Sequence, residues 1–175
     1  MTQDKDSGAP AGRDLRLMAC DSEDLAVLGA HVQDAILRVG DMIYLPKEKR
    51  FVLSMKRFDW LSAVEGAPQR TQAGLHFEHV RKASLQGFRQ DRPDDILYLL
   101  SLEFIPGDAP SGSVDLVFSG GCAVRLEVEC LEARMADLGP RWRARHAPGH
   151  GEGGKSGTAE KSGKAEKSGS DPGGA

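Results

Sequence analysis

The chain has 175 residues, with 23 Lys plus Arg against 26 Asp plus Glu and a formal net charge of −3. That length suits one domain, and the balanced charge excludes a globally basic field for nucleic acid or anionic lipid. The longest uninterrupted apolar run, 96–100, is five residues, against the ~20 that a membrane-spanning helix needs.

Composition also divides the chain. Nine of its 21 glycines fall in 147–175, where no side chain is both large and apolar and a Lys-Ser-Gly unit recurs at Lys155, Lys161 and Lys167. Such a stretch cannot recover the entropy of being ordered, so 147–175 reads as a disordered tail. With the polar leader 1–12 also set aside, 13–146 is expected to form a single folded domain. The leader has acidic residues and no apolar segment behind them, unlike a secretory signal. Three cysteines, Cys20, Cys122 and Cys130, are odd in number and contain no C-x-x-C. Both features point to a cytoplasmic protein.

In chain order, 13–19 reads as a strand with Leu15 and Leu17 on one face. Asp21 or Ser22 then caps a helix in which Leu25, Leu28, Val32, Ile36 and Val39 form one stripe, with Gly40 at its C-terminus. From Met42 the period becomes two. A strand at 42–45, a polar turn at 46–49 and a longer strand at 50–60 follow, the last with Phe51, Leu53 and Met55 on one face. Phe58 and Trp60 break that parity, which predicts a bulge near Lys56 and Arg57. In 74–86, Leu75 and Phe77 share a face and Val80 is out of phase, so the stretch is one bulged strand or two. Residues 96–104 are apolar on both faces, as in a central strand. Val114, Leu116 and Phe118 alternate up to Gly120-Gly121, and Cys122, Val124, Leu126 and Val128 alternate back, which makes a hairpin. Val128, Leu131, Met135 and Leu138 step by 3, 4 and 3, predicting a short amphipathic helix ended by Gly139-Pro140.

The expected fold is therefore α+β. It is a single antiparallel β-rich domain of about seven strands, a partial barrel or sandwich, with one N-terminal and one C-terminal helix. A pleckstrin-homology-like barrel is the nearest named topology.

Several segments carry a family resemblance: 24–35 around Asp24-Leu25-Ala26-Val27, Tyr44-Leu45-Pro46-Lys47-Glu48-Lys49-Arg50-Phe51, Arg57-Phe58-Asp59-Trp60, 114–121, and 126–132 with 136–140. Together they resemble a bacterial family of uncharacterised proteins, mainly alphaproteobacterial, the domain of unknown function 2948. The match spans about 15–142. It implies a bacterial protein and brings no activity to any residue.

Chemistry-bearing candidates are few. His31 and Asp34, at i and i+3 on the predicted helix, could serve as a base and its orienting carboxylate in a small hydrolase or transferase. Cys20, just ahead of the helix N-terminus, is the one thiol with a physical route to a lowered pKa. His76 and His79 fall on opposite faces of a regular strand and have no evident third ligand, so no metal site is expected. Gly120-Gly121 lacks the Lys-Ser/Thr of a phosphate loop, and no cofactor is expected. The remaining set is basic and aromatic: Lys47, Lys49, Arg50, Lys56, Arg57, Phe58 and Trp60, with 141–145 near the C-terminus. It could bind another protein or a second copy of the chain, or RNA by phosphate contact and stacking. The reading favoured is a non-enzymatic protein-binding or adaptor module.

Overall fold

Wherever side chains alternate in and out, the chain forms strands, and it does so more often than the apolar residues alone suggest. The computed structural model describes residues 14–145 and Pro148. The expected leader 1–12 and tail 147–175, Pro148 aside, lie outside the described residues. Among the described residues, ten strands and two helices run in the order β1 (Arg16–Ala19), α1 (Ser22–Val32), β2 (Ile36–Arg38), β3 (Met42–Leu45), β4 (Arg50–Asp59), α2 (Trp60–Val64), β5 (Gln69–Phe77), β6 (Val80–Gln86), β7 (Ile96–Pro106), β8 (Gly112–Phe118), β9 (Ala123–Val128) and β10 (Ala133–Arg143). The strands form one open sheet in the order β1-β10-β5-β4-β2-β7-β8-β9-β6, with β3 added to β4. Every pairing is antiparallel. The α+β, β-rich class thus holds, with ten strands rather than about seven.

The inward side chains converge on a single core that includes Phe51, Leu53, Leu75, Phe77, Leu99, Leu116, Phe118 and Val124. Burial of each is worth roughly 1.5–3 kcal/mol. Helix α1 begins at Asp21, whose carboxylate accepts the Asp24 N–H at 2.8 Å, and it adds Leu25, Leu28 and Val32 to the core. At the opposite corner the Val80 N–H donates to the Lys49 carbonyl at 2.7 Å, and the Tyr44 hydroxyl donates to the Val80 carbonyl.

Four expectations require correction. The first helix stops at Val32 and does not reach Gly40. Asp34 takes φ 59°, its N–H donates to the Leu99 carbonyl, and the Leu99 N–H donates to the Ala35 carbonyl, so the chain becomes β2. Ala35, Leu37 and Val39 are buried, a period-two set hidden inside the helical stripe. The expected C-terminal helix is the strand β10, and with it the pleckstrin-homology-like ending is lost. Ala133, Met135 and Asp137 are its inward residues, with Leu131 buried just before it, and Leu138 lies outward where the register with β5 shifts. There is no bulge in β4, because 51–59 pair with β5 residue for residue. Parity persists with Arg57 and Asp59 as the inward side chains. Finally, β7 lies between β2 and β8, yet Ile96, Tyr98 and Leu100 on its second face are exposed. A register shift between Leu99 and Ser101 changes the phase and turns Leu102 inward.

The sheet is open rather than a partial barrel or sandwich, while two local readings agree with the structure. The stretch 74–86 is split between β5 and β6. Gly120 and Gly121 both hold φ 75° at the turn between β8 and β9.

Candidate functional site

Inward parity carries charge at the α1 end of the sheet. Arg57 is only 2 % exposed, and its Nε and Nη2 donate to the two Asp137 oxygens at 2.7 Å each. Asp137 also accepts the Leu15 N–H at 2.9 Å and Arg141 Nη2 at 3.3 Å. Arg141 Nη1 pairs with Asp59, whose carboxylate accepts the Ser62 hydroxyl at 2.8 Å and caps α2. Two cations therefore balance two anions, which is the condition for burying charge at tolerable cost. Burial works to raise the Asp59 pKa, but the Ser62 hydroxyl and N–H, with Arg141 and Arg57, outweigh it and hold the carboxyl below the usual range. His31, in the last turn of α1, lies within electrostatic reach of Arg57, Asp59 and Asp137. Its pKa is lowered, first by burial and then by the Arg57 cation. This cluster ties β4, β10, α2 and the segment before β1 together.

Of the expected catalytic residues, Cys20 and His31 are not brought together. Cys20 is exposed ahead of α1, and His31 is near the other end of that 11-residue helix, about 16 Å along its axis. Asp34 has left the helix and lies within electrostatic reach of Arg70. His76 faces Glu78 at 3.4 Å and His79 faces Glu132 at 3.2 Å. Among the described residues no group of three or more His, Cys, Asp or Glu is placed to hold a metal ion.

The basic and aromatic set divides between the two ends of β4, roughly 30 Å apart at ~3.3 Å per residue. At one end are Lys47, Lys49 and Arg50, with Lys49 paired to Glu129 at 2.6 Å and Arg50 to Glu78 at 2.7 Å. At the other, Arg57 and Phe58 are buried. Phe58 meets the half-buried Trp60 edge-on, ring centroids 4.7 Å apart, and Arg70 lies 5.5 Å from the Phe58 centroid. Lys56 is exposed between the two ends. These residues form no continuous rim.

A different surface is concave. On the outer face, Arg16, Ala136, Gly74 and Ser54 stand side by side across β1, β10, β5 and β4. Ala136 and Gly74 are too small to fill the row, which leaves a groove of about 670 Å³. Met18 and Val52 wall one side and Leu138 the other. Met18 is 56 % and Leu138 62 % exposed, unusual for large apolar side chains that share a hollow. Arg134 and His76 stand at the Met18 side. None of these wall and floor residues was anticipated as a site. The available signal was Gly74, a lone glycine inside an alternating strand, which marks a place where something approaches closely.

Comparison with curated proteins and with solved structures finds no match. A family model described as "Protein of unknown function (DUF2948)" matches residues 15–150. That span holds every strand, both helices, the charged cluster and most of the chain, so the protein belongs to the DUF2948 family.

Proposed function

We propose that the protein is a non-enzymatic binding module that recognises another protein through the outer groove over Gly74 and Ala136. The observation that carries this reading is the groove itself, with a small-residue floor, exposed apolar walls and basic side chains along its border. The separation of Cys20 from His31 supports binding rather than chemistry, and the division of the basic and aromatic set weighs against RNA stacking. The cysteine pattern supports a cytoplasmic setting, and the Arg57-Phe58-Asp59-Trp60 segment a bacterial, chiefly alphaproteobacterial, source.

The test is site-specific photocrosslinking in the native cell. A benzophenone side chain replaces Ser54, beside Gly74 on β4, or, as control, Ser84, which is exposed on β6. Adducts of one defined mass from position 54 and none from position 84 are expected. Absence of adducts from position 54, or the same adducts from both positions, overturns the reading.

A further inference from the structure

We infer that the groove seats a single acidic amphipathic helix of a partner protein, about three turns long, lying across β1, β10, β5 and β4. This inference rests on the binding reading above and adds the chemistry of the occupant.

Direction is the first argument. The floor row Arg16, Ala136, Gly74 and Ser54 runs perpendicular to the strands. A peptide added as an extra strand would run parallel to β1 along the sheet edge, outside this row. A helix laid across the strands follows it. Length is the second argument: three inter-strand spacings of ~4.8 Å make about 14 Å, the rise of nine or ten helical residues. The floor also sets where the helix must be largest. Gly74 has no side chain, and the place its Cβ would take is 3.0 Å from Leu138 Cδ1. An exposed, flexible leucine thus leans over the hollow, and an incoming apolar side chain would take that space as Leu138 swings aside.

Charge selects the sign of the partner's polar face. Arg134 is matched by Glu132 at 2.8 Å and His76 by Glu78 at 3.4 Å. Arg16, which lines the groove at its β1 end, and Lys56, two residues beyond Ser54 on the same outer face of β4, have no carboxylate within 4 Å among the described residues. Asp41, which feels the Lys56 charge, is itself held by Arg38. Among the described residues, one unneutralised cation thus lines the groove and a second stands beyond it on the same outer face, on a chain whose formal net charge is −3. Acidic residues on a docked helix would meet both, while a basic helix would leave four like charges facing one another.

The experiment titrates the full chain into fluorescein-labelled synthetic helices of about 12 residues and reads anisotropy at low and high salt. One peptide carries leucines at i, i+3, i+4 and i+7 with glutamates elsewhere. The second replaces the glutamates by lysines, and the third scrambles the leucine spacing of the first. The acidic amphipathic peptide is expected to bind at least about ten-fold more tightly than either control, and less tightly as salt rises. Arg16→Glu with Lys56→Glu should abolish the preference for acid, and Leu138→Asp should weaken binding by about ten-fold. All three positions are exposed, so the fold is retained. Gly74→Val, which fills the hollow from a strand position, gives an independent loss. Equal binding of acidic and basic peptides overturns the inference, as does displacement of the acidic peptide by dodecanoate at equal affinity. A position-54 adduct of twice the chain mass also overturns it, in favour of self-association. A heterologous adduct from position 54 with no peptide bound overturns the helix assignment while leaving the binding reading in place.

Discussion

Among the described residues, three other than glycine, Asp34, Lys49 and His79, hold φ of 59°, 50° and 57°, a region where a Cβ crowds the following carbonyl. Each turns the chain between strands or out of a helix. Lys49 ends the turn between β3 and β4, where the Glu48 N–H donates to the Leu45 carbonyl and the Lys49 N–H to that of Pro46. Its ammonium also pairs with Glu129, but both side chains are largely exposed, and such pairs contribute little. Backbone strain then dominates the residue's energetics. Lys49→Ala and Lys49→Gly lose the same ion pair, yet only glycine adopts this φ freely. After allowance for its extra unfolded-state entropy, Lys49→Gly should be more stable than Lys49→Ala by about 0.5–1 kcal/mol. Urea midpoints of the two variants measure it, and an alanine variant as stable as the glycine variant would contradict the strain argument.

Among the elements whose sequence pattern misled, β4 and β10 share one physical reason. Hydrophobic alternation locates a strand by counting apolar inward positions, but Arg57, Asp59 and Asp137 are inward and charged. Their burial becomes possible only through partners 80 and 82 residues away, which no local window contains. In β4 the missing apolar positions suggested a bulge. In β10 they let Leu138, an outward residue beside the register shift, complete a helical spacing that Asp137 would have broken. The hairpin of β8 and β9 was legible because its inward set is wholly apolar and its turn has two glycines in positive φ. The groove was not legible for the reason that hid β10: its floor needs Ala136 beside Gly74, a register set only once β10 is a strand. If Arg57 and Asp137 join these elements, Arg57→Met should cost about 3–5 kcal/mol by leaving a buried carboxylate without its main partner. Adding Asp137→Leu should recover a good part of that loss. A double variant less stable than the Arg57→Met single variant would assign the effect to packing instead of charge.

Over the whole molecule, the charged end is where solvent pH reaches the fold. His31 and His76 both titrate below their ordinary 6.5, each because burial disfavours the imidazolium, with cations adding to the effect. The unfolded chain therefore binds these protons first as pH falls. Stability is complete above about pH 6.5 and declines as pH drops from there toward the folded values. Asp59 acts in a lower window. Burial works to raise its pKa, but Ser62, Arg141 and Arg57 hold it below 3.8. The stability it contributes is present above that value and is lost as pH falls through the folded one. Acid unfolding should accordingly proceed in two stages, a shallow decline beginning near neutrality and a steeper one in the carboxylate range. Thermal midpoints taken across both windows separate them. His31→Gln with His76→Gln should flatten the first decline and leave the second. Asp59→Asn should lower stability at neutral pH, because the Arg141 pair is lost, and weaken the second decline. If the histidine variant retained the whole slope between pH 7 and pH 5.5, the first stage would have to come from groups outside the α1 end and the outer face of β5.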